Sequence, residues 1–488
     1  MKRLPGLLAA LALAGPFLAA TSAAQTSLAQ PPTPPVPRPV AETPASDLAR
    51  RLLKAAATSD DAFLAFIHEA DPETRLTDDR WLALRQQIKT LQLHGVEQAS
   101  ATHADLSVFD PDPDIWARFS LDVTAEAPHT ITNLSIHPAD RPGDVAPPPR
   151  LDPAALVAAT RARVEAAAED GRFSGAVLIA RGGRTIYEAA YGLADRDAMA
   201  PNTLRTQFRF GSMGKMFTAV SIMQLAQDGK LDLAAPIGRY LKDYPNPDIA
   251  TKVTVNNLLT HTGGTGDIFT PEFQSHRLEL KDAKDYVALF GARPPRFAPG
   301  ARTEYSNYGF MLLGRIVEVV SGHSYDDYIA SHIFAPAGMT VTGALPETVH
   351  LAQRATSYMM RNGQLVSAAD TLPWRGGPAG GGYSTVGDLT KFANALMASH
   401  LLDHVYTGLL TTGGFTGPNG AFLRYDFGAQ AGDRRRYFGH SGGAPGMNGE
   451  LRIFPAERGQ GAYTIVVLAN LSPPAATGVA NFISDRVP

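Results

Sequence analysis

Ser212 and Lys215, in the segment FRFGSMGKMF, have residue types and a spacing that suit acyl transfer. Residues three apart share one face of a helix, so the lysine amine can reach the serine hydroxyl and act as its base. The N-terminus of a helix favours negative charge on the serine oxygen, and the same field together with burial favours the neutral form of lysine. Ser-x-x-Lys is a short pattern, however, and its ordinary interpretation is an N-cap serine followed by a solvated lysine.

Tyr305 and Asn307 form a second candidate pair, in the segment EYSNYGF. In an extended stretch, residues two apart point the same way, so one surface would present a phenol and a carboxamide together. We expect the phenol to act as a phenolate where cations lie near it, and the carboxamide to hold a substrate amide. The alternative is an ordinary turn with Asn307 as the cap of the apolar helix that is predicted from Phe310 to Val320.

The segment GHSGG, residues 439–443, satisfies the pattern Gly-x-Ser-x-Gly of a nucleophile elbow. An elbow needs a helix directly after it and a catalytic histidine later in the chain. APGMNGE follows instead, which does not suit a helix, and His440 is the last histidine of the sequence. We therefore expect Ser441 not to be a nucleophile, and we predict an edge strand whose small residues let a substrate approach the backbone closely.

Together, in this order and rough spacing, the three strings resemble the serine β-lactamase and penicillin-binding-protein superfamily, and within it the class C β-lactamase-like branch. The stretches VTVNNLLTHTGG and GGGYSTVGDLTKFANAL are similar to that family too, and the resemblance covers the chain from about Leu151 to its C-terminus. It implies an α+β, β-lactamase/transpeptidase-like fold: an antiparallel sheet flanked by helices, with an all-α region. A small N-terminal α+β domain precedes it.

The resemblance also implies a role for each matching residue. Ser212 would be the acylated nucleophile, and Lys215 and Tyr305 would form its general-base pair. The oxyanion hole would be the backbone N–H groups of Ser212 and Gly443. The substrate would be held by Asn307 and by the triplet His440, Ser441 and Gly442.

The triplet departs from the family pattern at His440, because this branch usually has lysine there, as a fixed charge for a substrate carboxylate. Histidine titrates near neutrality, so we expect that charge to be weaker or absent at pH 7 unless Arg434, Arg435 or Arg436 turns inwards. Relatives with histidine here include D,D-peptidases, esterases and amidases. The resemblance thus favours an esterase or D-amino-acid peptidase-like hydrolase with weak or no β-lactamase activity. A true class C-like β-lactamase and a catalytically silent relative that binds cell-wall peptide or a protein remain alternatives.

His261, in LLTHTGG, is expected to support the C-terminus of an apolar helix. No spacing of His, Asp or Glu resembles a metal site, so neither a metal nor a cofactor is expected. A formal net charge of −3 gives no reason to expect nucleic acid as a partner. The expected partner is a small-molecule or peptide substrate with an ester or amide bond.

The elements that must position these residues follow from hydrophobic patterning. A helix is predicted from Pro153 to Gly171, then a hairpin with its turn at Gly182-Gly183. The chain closes with two more strands, GELRIFPA and AYTIVVLAN, and a short helix in VANFISD. Strands at both ends with a mostly helical middle predict one sheet built from distant segments, with a helical insert against one side.

The N-terminal part carries the signals of export. Lys2 and Arg3 precede an apolar run from Leu7 to Ala20 and then small residues, as in a secretory signal peptide. No cysteine is present for lipid anchoring, so we expect a periplasmic or secreted protein with no membrane span after cleavage. The expected regions are a signal peptide (1–24, cleavage possibly after 29), a Pro-rich linker (25–45), a small α+β domain (46–138), a second linker (139–152) and the hydrolase domain (153–488).

In the small domain, apolar spacing predicts helices in the segments DLARRLLKAAA, DDAFLAFIHEA and DRWLALRQQIKTL. Alternation predicts strands in IWARFSLDVTA and HTITNLSIHP. Nothing in this domain has the spacing of a catalytic site, and dimerisation, substrate gating or a spacer would all fit it.

Overall fold

The computed structural model describes residues 42–488 except 73, 75, 112, 113, 362, 419, 421, 428, 429, 432–434 and 458–460. The expected signal peptide and nearly all of the first linker lie outside the described residues, and so does Arg434. What the sequence predicts for those segments stays a prediction.

The small domain consists of three helices followed by a four-stranded antiparallel sheet in the order β1-β2-β3-β4. Its elements are α1 (Pro44–Ala56), α2 (Asp60–Ala70), α3 (Asp78–Ile88), β1 (Gln92–Ala99), β2 (His103–Asp110), β3 (Ile115–Val123) and β4 (Ile131–Pro138). Phe63, Trp81 and Phe119 are buried in a core of its own. The three helices, β3 and β4 match the predicted segments, whereas β1 and β2 were not predicted individually.

The hydrolase domain contains the remaining elements. Its strands are β5 (Gly175–Arg181), β6 (Arg184–Tyr191), β7 (Leu193–Asp195), β8 (Ala200–Pro201), β9 (Phe208–Arg209), β10 (Tyr358–Arg361), β11 (Gln364–Ser367), β12 (Tyr383–Ser384), β13 (Gly414–Thr416), β14 (Phe422–Arg424), β15 (Gln430–Ala431), β16 (Arg436–Ala444), β17 (Met447–Phe454) and β18 (Tyr463–Ala469). Its helices are α4 (Pro153–Glu169), α5 (Lys215–Gln227), α6 (Pro247–Lys252), α7 (Val255–Leu259), α8 (Pro271–His276), α9 (Ala283–Phe290), α10 (Asn307–Ser321), α11 (Tyr325–Ile329), α12 (Ala335–Ala337), α13 (Val386–Met397), α14 (His404–Thr412) and α15 (Ala475–Ser484).

The main sheet has six antiparallel strands in the order β15-β16-β17-β18-β5-β6. The pairing of β18 with β5, for example Val466 with Leu178, joins two distant parts of the chain, as the sequence predicts. One face of the sheet packs on α4 and α15. The other face packs on the helical region that contains α5 and α10. The α+β fold expected from the resemblance is therefore confirmed.

Local sequence explains the elements at the start of this domain. The Asp152 carboxylate accepts the N–H groups of Ala154 and Ala155, both at 2.9 Å, and so caps α4. Gly182 and Gly183 both have positive φ, 56° and 77°. This is the backbone that a two-residue hairpin turn requires, and it aligns β5 with β6.

The small domain is linked to the α4 and α15 side of the sheet. The Arg486 Nη1 atom lies 3.2 Å from the Asp114 carboxylate, and Arg163 donates to the Pro111 carbonyl at 2.9 Å. Arg163 belongs to α4, and Arg486 directly follows α15. Both contacts are on the face of the sheet that points away from α5. Substrate gating by the small domain, one of the roles left open above, therefore finds no support in these contacts.

Candidate active site

Ser212 lies in a single 3₁₀ turn, Gly211–Gly214, that leads directly into α5. The predicted first helical turn is thus a 3₁₀ turn, and Lys215 is the first α-helical residue. Gly211 has φ of 54°, and a Cβ atom added there would lie 3.0 Å from the Gly443 nitrogen. Glycine is needed at this position because its backbone is left-handed and closely approaches β16.

Lys215 is almost completely buried, with 1% of its surface exposed. Its Nζ atom donates to Asn307 Oδ1 at 2.7 Å and to the Ala379 carbonyl at 2.8 Å. Burial lowers the pKa of Lys215 to about 8, although the charges of Asp426 and Asp267 oppose the shift. Neutral lysine is therefore accessible close to neutral pH, which is what a general base requires.

The Tyr305 ring lies next to this amine, with Lys215 Nζ 4.7 Å from the ring centroid. Burial, together with the negative charges of Asp426 and Asp267, raises the pKa of Tyr305 well above its usual range, and a hydrogen bond with Ser212 only partly opposes this. The geometry of that bond is loose, because the Tyr305 hydroxyl has no partner among the described residues by strict distance and angle criteria. Burial and the nearby carboxylates therefore disfavour the phenolate and favour a neutral Tyr305 phenol.

Asn307 is the first residue of α10, and the N-cap is Ser306, whose Oγ accepts the Gly309 N–H at 2.8 Å. The alternative in which Asn307 is the cap is thus wrong. The Asn307 carboxamide accepts from Lys215, while its backbone N–H and its Nδ2 donate to the Asp267 carboxylate at 2.8 and 3.2 Å. Asp267 was missed by the sequence analysis. In this structure Asn307 orients Lys215, and its contact with substrate stays a prediction.

The triplet lies on β16. On the side of β16 that faces away from β17, the described pairing with β15 extends only as far as Tyr437. The predicted edge strand is thus present at residues 440–443. A Cβ atom on Gly442 would lie 1.8 Å from the Phe210 carbonyl and 3.1 Å from the Ser212 nitrogen. The absence of a side chain therefore lets β16 contact the nucleophile turn. This brings the backbone of Ser212 and Gly443 together, as the predicted oxyanion hole requires.

Two of the arginines before the triplet, Arg435 and Arg436, lie within the described residues. Arg435 donates to the carbonyls of Gly461 and Pro488, both at 3.0 Å. Arg436 is exposed to solvent at the start of β16. Neither of these two described arginines points into the active site.

A carboxylate that the sequence analysis missed, Asp426, lies next to two histidines. His440 Nε2 lies 2.6 Å from Asp426 Oδ2, and His261 Nε2 lies 3.1 Å from the same oxygen. Burial alone would raise the pKa of Asp426, but its contacts with His440 and His261 lower it well below its usual range. We call Asp426, His440 and His261 the Asp426 cluster.

His261 follows the short helix α7, so its predicted place at a helix C-terminus is correct. Its ring, however, belongs to the site. It packs on the Tyr305 ring with the centroids 4.4 Å apart, and its Nδ1 accepts the Ser306 N–H at 3.0 Å. The motif LLTHTGG was a signal for this residue that the helix-terminus interpretation did not use.

Within the described residues, no group of three or more His, Asp or Glu side chains could hold a metal ion. Among the described helices, none is both long enough and apolar enough to cross a membrane.

A buried amine with a lowered pKa, a serine in the turn before it and a phenol between them define the class, a serine hydrolase. A sequence model of the family described as Beta-lactamase matches residues 158–486. The chain therefore belongs to the Beta-lactamase family, as the resemblance of its three strings implies.

Relatives in this family have different activities. The chain is 32% identical over 237 residues to the protein PbpX of Bacillus subtilis (strain 168), which is 47% of this chain and 56% of that one. It is 32% identical over 208 residues to esterase EstB of Burkholderia gladioli, which is 40% of this chain and 53% of that one. In both cases the aligned stretch spans little more than half of the relative.

Solved structures have the same fold, and the alignments with this chain include nearly the whole of each solved chain. A penicillin-binding protein from Bacillus halodurans has a TM-score of 0.58 at 31% identity, covering 66% of this chain and 98% of that one. A D-stereospecific amidohydrolase from Streptomyces sp. has a TM-score of 0.54 at 27% identity, covering 68% of this chain and 98% of that one. Both matches leave about a third of this chain unaligned.

Proposed function

We propose that the protein is an exported serine hydrolase that forms an acyl-enzyme on Ser212 and cleaves an ester or amide bond. The observation that carries this proposal is the buried amine of Lys215, whose pKa of about 8 and two fixed hydrogen bonds suit a general base. The esterase and the D-stereospecific amidohydrolase among its relatives support these two bond types.

In the proposed reaction, Ser212 Oγ attacks the carbonyl carbon of the substrate while its proton passes, with the help of the Tyr305 phenol, to neutral Lys215. The backbone N–H groups of Ser212 and Gly443 stabilise the negative oxygen of the tetrahedral intermediate. The bond to the leaving group then breaks, and the leaving group takes the proton from Lys215. Water next attacks the ester of Ser212 and gives its proton to the same base pair. The base pair returns this proton to Ser212 Oγ as the ester bond breaks and the acid leaves.

The raised pKa of Tyr305 limits the part that this residue can play. A neutral phenol can accept one proton and donate another in the same step, so it can connect Ser212 with Lys215 without ionising. A free phenolate would first have to form against burial and two nearby carboxylates. We therefore assign the base to Lys215 and the proton relay to Tyr305.

The proposed substrate is a small ester or a D-amino-acid amide or peptide, with weak or no turnover of β-lactams. The test compares a short-chain nitrophenyl ester, a D-Ala-D-Ala peptide and a chromogenic cephalosporin, with wild type and Ser212→Ala. Turnover of the ester or the peptide by wild type alone supports the proposal. Fast turnover of the cephalosporin favours the β-lactamase alternative, and full activity of Ser212→Ala contradicts the nucleophile.

Intact mass after exposure to a fluorophosphonate provides a second test of the nucleophile. An adduct on wild type that is absent from Ser212→Ala is expected. No adduct, together with no turnover, would favour the catalytically silent alternative. Export is tested separately by fractionating cells that express the whole chain, since a periplasmic or secreted product shortened near residue 24 or 29 is expected from the signal segment.

A further inference from the structure

We propose that Asp426 and His261 are positioning residues of this site, and that Asp426 keeps His440 doubly protonated so that the triplet carries a fixed positive charge. The effects that we expect on KM and kcat rest on the proposed function. The protonation of His440 does not depend on turnover, and it is tested separately.

The hydrogen-bond partners of His440 set its protonation. Its Nε2 lies 2.6 Å from the Asp426 carboxylate, and its Nδ1 faces the backbone carbonyl oxygen of Ser441 at very short range. Both partners can only accept. Neutral imidazole has one N–H and one lone pair, so one of the two contacts would bring two lone pairs together. Only the imidazolium form donates in both directions.

The other histidine in contact with Asp426 is His261, and the hydrogen bond that it accepts requires its neutral form. Its Nδ1 accepts the Ser306 N–H, so its proton is on Nε2, which lies 3.1 Å from Asp426 Oδ2. That approach is angled, since Nε2 has no partner by strict hydrogen-bond criteria. One carboxylate, one imidazolium and one neutral imidazole leave the buried cluster with no net charge, which is the least costly way to bury it.

The remaining groups around His440 agree with this charge balance. The charge of Asp426 acts on Lys215 of α5 and on Tyr305 in the loop before α10, and Asp267 contacts Asn307. On the neighbouring strand β17, its partner is the apolar Leu451. Asp426 is thus the carboxylate in direct contact with His440 among the described residues.

The backbone around the cluster is built to hold it. His261 has φ of 58°, a left-handed conformation that is strained for a residue with a side chain. Asp426 donates its N–H to the Leu259 carbonyl at 3.1 Å, and the Tyr425 hydroxyl donates to Asn256 Oδ1 at 2.9 Å. Asp426 is therefore anchored to α7, and its carboxylate connects the triplet strand with the Tyr305 loop.

The first experiment measures protonation directly. Long-range ¹H–¹⁵N correlation spectra of the imidazoles are recorded on the whole protein at pH 8, with the His440 signals assigned from His440→Gln. We expect both nitrogens of His440 to be protonated in wild type and only one in Asp426→Asn. A singly protonated His440 in wild type at this pH would overturn the proposal, whether or not the protein hydrolyses anything.

The second experiment measures the charge through substrate preference. KM is compared from pH 6 to 9 for an ester with a carboxylate on its leaving group and for the methylated, neutral form of the same ester. Wild type should prefer the carboxylate at every pH. In Asp426→Asn the preference should fall by about tenfold as pH rises through the usual histidine range, because a charged hydrogen bond is lost.

Rescue and matched controls distinguish a fixed charge from general damage. Asp426→Asn with His440→Lys should regain the preference, since lysine stays charged without a carboxylate partner. Asp122→Asn makes the same change beside a histidine of the small domain and should leave the preference unchanged. His261→Asn removes the ring from a position where asparagine tolerates positive φ, and should lower kcat for both esters while the preference stays. A preference in Asp426→Asn that matches wild type would contradict the proposal.

If Asp426→Asn does not fold, as judged by its thermal unfolding, the wild-type spectrum and the wild-type pH dependence of the preference still decide the question. A wild-type preference that disappears between pH 6 and 8 would show an ordinary, titrating histidine. If neither an ester nor the D-Ala-D-Ala peptide is turned over, the proposed function fails while the imidazole spectrum still tests the charge on His440.

Discussion

The two regions of the molecule contain histidine–carboxylate clusters of opposite composition. In the small domain, His103 lies between two carboxylates, with Nδ1 2.6 Å from Asp122 and Nε2 3.2 Å from Asp105. In the hydrolase domain, the single carboxylate of Asp426 lies between two histidines. The His103 side chain is 33% exposed on an open sheet face, whereas His440 and His261 are 7% and 4% exposed.

This difference shows how burial determines what such a cluster can do. The side-chain hydrogen bond with Asp122 raises the pKa of His103, yet water and ions screen its charges at the surface. In the Asp426 cluster water is largely excluded, so an unbalanced charge would be costly and the protonation state becomes part of the structure. The first cluster titrates with little consequence for the fold. The second cluster connects the triplet on β16 with the Tyr305 loop.

The largest expected contrast is catalytic. Lys215→Met should lower kcat/KM for a nitrophenyl ester by about 10³-fold, because the base is removed from a site that has no other buried amine at Ser212. His103→Gln, the matched change in the small domain, should leave kcat/KM unchanged. A steady-state assay of both variants measures the contrast, and a loss in His103→Gln comparable to that in Lys215→Met would show that the small domain takes part in the reaction.

The second largest contrast concerns stability, because the two clusters should contribute differently to the free energy of unfolding. Asp426→Asn should lower the free energy of unfolding by about 3–5 kcal/mol, since it breaks a buried ion pair and His440 must then give up its proton or remain without a counter-charge. Asp122→Asn should cost less than about 1 kcal/mol, as usual for an exposed pair. Urea unfolding at pH 7 gives both values, and equal losses would mean that burial does not distinguish the clusters.

The pH dependence of catalysis should follow the buried lysine and not the histidines. Lys215 has a pKa of about 8 and must be neutral to accept the proton of Ser212. The value of kcat/KM for a neutral ester should therefore rise about tenfold per pH unit below 8 and level off above it. Measurements from pH 6 to 10 test this, and a limb near pH 6 would assign the essential base to a histidine instead.

The smallest effect belongs to His103. Its pKa is raised by folding, so its contribution to stability is complete below the usual histidine value of 6.5 and is lost as pH rises through the raised value. His103→Gln should lower the free energy of unfolding at pH 5.5 by less than about 1 kcal/mol and have no such effect at pH 9. Urea titrations at the two pH values measure the difference, and an unchanged loss at pH 9 would point to packing and not to charge.

Patterns that are local in the chain were predictable from the sequence. Helix α2 was predicted at its observed bounds by apolar spacing, and the turn at Gly182-Gly183 by its residue types. Ser212, Lys215 and Tyr305 were found because each lies in a short string whose neighbours belong to the same element. Strand β1 was harder to recognise, because most of its residues are exposed and its register with β2 shifts twice.

Asp267 and Asp426 could not be found in the same way. Each is a single carboxylate in a loop, and its partner lies far away in the chain: Asn307 for one, His261 and His440 for the other. Only tertiary packing makes them neighbours. The burial of His440 and its contact with Asp426 could not be foreseen for the same reason, because the two residues meet only in the folded chain.

The pairing of β18 with β5 also has a consequence for the order in which the protein is made. The nucleophile turn is synthesised more than two hundred residues before the oxyanion glycine, as the numbers of Ser212 and Gly443 show. Until β16, β17 and β18 emerge and join β5, the serine has neither its oxyanion hole nor a sheet behind it. Such non-local pairing forms late in folding. We therefore expect a nascent chain to be inert until its last described strand is in place.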